Sequence, residues 1–130
     1  MISEDYCSFK LSKLLKEKGF DWMCNGYYNK DDEDSEPYFG DGEGADNWNN
    51  QAPSVRDLWF SAPTHQMAMK WLREKHIYIC PIPAYSHGDG TWSWGCDIWA
   101  GDNYEYTIRE EETYEEAVEA ALKYSLENLI

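Results

Sequence analysis

Seven side chains could ligate a metal or serve as nucleophile and base: Cys7, Cys24, Cys80, Cys96, His65, His76 and His87. A structural zinc needs such residues in short pairs. The cysteines stand 17, 56 and 16 positions apart, with no Cys-x-x-Cys. His65 and His76 fall at the two ends of one helical segment, about 16 Å apart by helical rise, and cannot share an ion unaided. No tetrahedral set is visible, so neither a metal nor a cofactor is expected. The acidic stretch "DDEDSEPYFGDGEGADN" invites the same test for calcium. An EF-hand loop needs Gly at its sixth position and Glu at its twelfth. Counting from Asp31 gives Glu36 and Gly42, and counting from Asp41 gives Asp46 and Ala52. A solvated acidic loop is the expected reading, with weak, low-affinity calcium association as its alternative.

Catalytic patterns fare no better. Cys80 and His76 are close in sequence, but four residues along a strand span about 13 Å. "HGDG", His87–Gly90, has catalytic residue types and also the composition of a turn between strands. There is no Gly-x-Ser-x-Gly elbow, His-Glu-x-x-His, P-loop or dinucleotide fingerprint. A role other than catalysis is expected. The aromatics offer a different chemistry. Trp92, Trp94, Trp99, Tyr104 and Tyr106 fall within fifteen residues. Exposed aromatic faces beside Asp or Asn bind sugars, and Trp99, Asp102, Asn103 and Tyr104 would supply such a set.

The elements that must position these residues follow from periodicity. "SFKLSKLLKEK" puts Phe9, Leu11, Leu14 and Leu15 on one side of a helix over 8–18, stopped by Gly19 with Phe20 folding back on Leu15. "FDWMCNGYYN" suggests a strand through Tyr28, with Asn25-Gly26 a turn or bulge. Residues 30–50 are acid-, Gly- and Asn-rich and read as a long, partly mobile loop pinned by Tyr38, Phe39 and Trp48. "DLWFS" is a short strand before a helix over 65–75, with Thr64 as N-cap and Met67, Ala68, Trp71 and Leu72 facing inward. Ile77–Ile82 is a strand that Pro81 and Pro83 place at a sheet edge or cut short. Residues 91–109 form a hairpin around an Ala-Gly-Asp-Asn turn. Its alternation assigns Trp92, Trp94, Tyr104 and Tyr106 to a buried face, doing the work of scarce Leu, Val and Ile, and points Trp99 away. Thr113-x-x-Glu116 is a capping box opening a helix over 114–129. The expected fold is a single α+β domain over 1–130, a small antiparallel sheet packed against three helices.

Charge limits the partners. Across 130 residues, 42% hydrophobic and 16% aromatic, the net charge is −14. Residues 31–50 hold eight acids and no base, and residues 91–130 hold ten acids and two bases. Such a field repels phosphate backbones and anionic lipid, so no direct nucleic-acid or membrane binding is expected. A basic protein would be attracted. No apolar run approaches the roughly 18 residues of a membrane span. "MISEDYCSFK" has early acids and no apolar core, unlike a secretory signal, so a cytoplasmic location with four reduced thiols is expected.

Three blocks carry a resemblance: "CSFKLSKLLKEKGFD", "SAPTHQMAMKWLREKHIYI" and "TYEEAVEAALKYSLENLI". They contain Lys16-Glu17-Lys18-Gly19-Phe20, Lys70-Trp71-Leu72-Arg73-Glu74 and Tyr114-Glu115-Glu116-Ala117. Together the chain resembles a family of small proteins of phages, prophages and mobile regions of gut bacteria. The resemblance leaves out the acidic loop and the Trp-rich hairpin. It implies a phage or mobile-element accessory protein and carries no catalytic residues.

The expected function is an acidic accessory protein that binds another protein, basic or DNA-binding, through a surface drawn from Trp99, Asp102, Asn103, Glu111, Glu112 and Glu115. A sharper form is mimicry of nucleic-acid charge. The alternative is a carbohydrate or small-ligand module built on exposed aromatics.

Overall fold

A computed structural model describes residues 5–40 and 45–130. The part of the acidic loop over 41–44 and the first four residues of the chain lie outside the described residues. The chain adopts the expected α+β class, with two three-stranded antiparallel sheets where one was predicted. Its contacts divide it into two compact units, Met1–Met67 and Ala68–Ile130.

The first unit opens with α1 (Phe9–Glu17). Ser8 caps it by accepting from the Leu11 N–H at 3.2 Å. Its end is a Schellman stop. Phe20 N–H donates to Leu15 O, Gly19 N–H donates to Lys16 O, and Gly19 takes φ 94°, which only glycine adopts cheaply. Both Leu15 and Phe20 are buried, as the fold-back requires. The sheet has the order β2-β1-β3, from β1 (Gly26–Asn29), β2 (Tyr38–Phe39) and β3 (Trp59–Ala62). Phe9 of α1 packs edge-on against Tyr28 and Phe60. Burying each such ring is worth about 1.5–3 kcal/mol. The Lys16 ammonium donates to the Trp59 and Arg56 carbonyls at 2.9 and 2.6 Å, and burial holds its pKa below the usual lysine value. The 30–50 segment is pinned as expected. Trp48 stacks on Tyr27 with centroids 4.2 Å apart and donates its indole N–H to Cys24 O. Tyr38 and Phe39 form β2 and meet Tyr27 and Tyr6.

Thr64 accepts from the Met67 N–H and opens α2 (His65–Arg73), whose Ala68, Met69, Trp71 and Leu72 are buried. In the second unit the sheet order is β4-β5-β6, from β4 (Ile77–Ser86), β5 (Trp92–Ala100) and β6 (Asn103–Glu111). β4 runs through both prolines to Ser86. Among the described residues it pairs on one side only, so Pro81 and Pro83 interrupt no second ladder there. α3 (Tyr114–Asn128) packs across all three strands, capped where Thr113 accepts from the Glu116 N–H. No helix among the described residues is long and apolar enough to cross a membrane.

The predicted aromatic core of this hairpin needs correction. Trp92, Tyr104 and Tyr106 are exposed, and only Trp94 is half-buried. Along β5 the alternation holds: Cys96 and Ile98 are buried, and Trp94 meets Tyr114 of α3. Trp92 lies beyond Trp94, where α3 has yet to begin. On β6 a bulge intervenes. Ile98 pairs with Tyr106, but the next residue, Trp99, pairs with Tyr104. The extra residue, Glu105, turns Tyr104 onto the face away from the helix. Tyr106 stays on the helix side and stacks on Tyr124, its other face in solvent at the sheet edge.

Candidate functional site

The face of the second sheet opposite α3 is built from alternate residues of three strands. Tyr78 pairs with Trp99, Cys80 with Asp97, and Trp99 with Tyr104. Cys80, Ile82, Trp99 and Tyr104 are exposed there, and Tyr104 is 51% accessible. Trp99 and Tyr104 brace each other edge to face at 5.3 Å, so the pair is a fixed shape. Asp97 accepts a 2.9 Å hydrogen bond from the Thr107 hydroxyl across the ladder. Beside these runs an open groove of about 430 Å³, lined by Ile82, Tyr85, Asp97, Tyr104, Thr107 and Arg109. An apolar patch rimmed by polar groups is the signature of a contact surface.

The residues singled out from the sequence fall into two groups. Trp99, Asp102 and Asn103 lie together at the β5–β6 turn, all exposed. Glu111, Glu112 and Glu115 lie at the far end of β6 and the start of α3. Asn103 and Glu111 are eight strand steps apart, roughly 27 Å. These six residues therefore mark the two ends of one sheet.

At that second end is a feature the sequence reading passed over. The β4–β5 connection closes with His87 N–H donating to Thr91 O, and this brings the His87 ring to Ser93, with Nε2 and Oγ 2.7 Å apart. The pair borders a cavity of about 700 Å³. His87 was assigned to a turn, which is correct. Ser93 itself pairs with Tyr85, so the His87 ring reaches it diagonally across the connection, a contact that chain spacing alone does not announce.

The thiols divide sharply. None of the four cysteines forms a disulfide among the described residues; Cys7, Cys24 and Cys96 are buried and Cys80 is exposed. Burial, with Cys80 and Asp97 adding to it, pushes the Cys96 thiol up to about 12, and burial likewise raises Cys24. In the first unit the buried Cys7 thiol and a ring nitrogen of His65 come within 4.8 Å, a proximity that chain spacing concealed.

Comparison of the chain with family models, with curated proteins and with solved structures returns no match.

Proposed function

We propose that this chain is a protein-interaction module. Its second unit offers the open sheet face around Trp99 and Tyr104 to a basic protein partner. The observation that carries the proposal is the coincidence of two properties. Large apolar side chains are exposed side by side on one sheet face, and the segment that supplies Trp99 and Tyr104, 91–130, holds ten acids against two bases. Aromatic side chains supply contact area at low entropic cost and dominate interface hot spots. The acid excess of this segment favours basic partners and speeds encounter. The resemblance to phage and mobile-element accessory proteins supports the same reading, with a host DNA-binding protein as the class of partner.

The test is affinity capture at physiological salt with the wild-type chain and with W99A/Y104A. The expected result is a basic protein retained by the wild type and lost from the double variant, since hot-spot truncations each cost about 2 kcal/mol or more. Equal capture by both chains contradicts the proposal. A saturable Trp-fluorescence response to an oligosaccharide, with no protein captured, replaces it with the carbohydrate reading.

A further inference from the structure

The cavity beside His87 and Ser93 is lined by Tyr85, Trp92, Glu110 and Glu112 as well. Tyr85 and Trp92 are 47% exposed, so their ring faces are free to receive a ligand. Two nearby polar groups are already engaged. His87 is bonded to Ser93, and Asp89 accepts from the Thr91 N–H at 3.0 Å. The carboxylates of Glu110 and Glu112 have no ion pair or hydrogen bond among the described residues, and no Lys or Arg lines the cavity. Glu110 is also held at φ 62°, in the left-handed region, where the β5–β6 register shifts between Trp94 and Cys96. A non-glycine residue there is strained, and a bulge at such a point re-aims a side chain.

Charge decides what fits. A phosphate or carboxylate would meet two like charges, and a neutral sugar would leave both uncompensated. A flat cation can stack on an aromatic ring of the lining and pair with its carboxylates. Guanidinium stacks on aromatic faces and forks onto carboxylates, whereas ammonium is a compact, strongly hydrated point charge. We infer that this cavity is a receptor for one arginine side chain. It rests on the reading of a basic protein partner and specifies how that partner is gripped. Tyr85 lines both this cavity and the open-face groove, so a segment lying in the groove can end with its arginine here.

The experiment titrates the ¹⁵N-labelled chain with acetyl-Gly-Arg-Gly-amide, followed by amide shifts. Saturable shifts are expected over 85–93 and 110–112. They should weaken by about tenfold or more with the lysine peptide, with the neutral citrulline peptide, and in E110Q/E112Q, a loss of about 1.4 kcal/mol. The spectrum of E110Q/E112Q outside these segments reports that it is folded. No saturable shift, an equal response to lysine or citrulline, or unchanged binding by E110Q/E112Q overturns the inference. No partner is needed for the titration, so it fails or succeeds separately from the open-face reading.

Discussion

Cys80 and Cys96 sit one ladder rung apart on opposite faces of the second sheet, and their chemistry diverges accordingly. Thiolate is the reactive form, so the buried Cys96, pushed up to about 12, should be inert. Iodoacetamide at pH 8 should label Cys80 rapidly in the native chain and leave the other three unmodified, as peptide mass mapping will read. The same shift fixes a direction with pH. Above the ordinary thiol value of 9.0 the unfolded chain ionises Cys96 while the folded chain keeps its proton. That contribution to stability is whole below this value and falls as pH rises toward 12. Gly95 makes a second residue-scale case. A Cβ there would collide with the Ile108 carbonyl oxygen across the strand pair. Gly95→Ala should therefore cost about 1–3 kcal/mol in denaturant unfolding, by the strain of overpacking. Nothing local in "WSWGCDIW" announces this, because the clash is with a residue brought near only by pairing.

The elements separate what a sequence can announce from what only pairing reveals. The caps at Thr64 and Thr113 were legible because each is a bond between residues three apart, closed within its own turn. Thr113→Ala should lower unfolding free energy by about 1 kcal/mol, with the loss seen as fraying of α3 at Tyr114 in hydrogen exchange. The Schellman stop at Gly19–Phe20 was legible for the same reason. The bulge at Glu105 was not. It depends on which β6 residue meets Trp99, and the alternation of "YEYTI" is perfect on paper. One inserted residue sent Tyr104 to the opposite face and turned a predicted core ring into part of the candidate site. Trp99 kept its predicted outward direction, since β5 itself carries no extra residue there. Deleting Glu105 should restore strict alternation, quench Tyr104 exposure to solvent and dismantle the Trp99–Tyr104 contact, read as loss of their mutual ring-current shifts.

Over the whole molecule, charge is the dominant property. A net charge of −14 gives long-range attraction for a basic partner, and ions screen it over about 8 Å at physiological strength. Partner association should slow steeply as salt rises, while dissociation, governed by the aromatic contacts, changes little. Composition made this charge plain, and the two acidic segments were read correctly from the chain alone. Their placement needed the fold, which sets Glu111 and Glu112 at one end of the sheet and Asp102 at the other. The most direct test of the interaction surface uses Cys80, the exposed thiol at its centre. Its alkylation rate is measured with the chain free and with the captured partner in saturating amount. An interface on the open face predicts that the partner slows labelling of Cys80 by about tenfold or more, as burial at an interface excludes reagent and water alike. An unchanged rate with the partner fully bound would place the contact elsewhere and contradict the account.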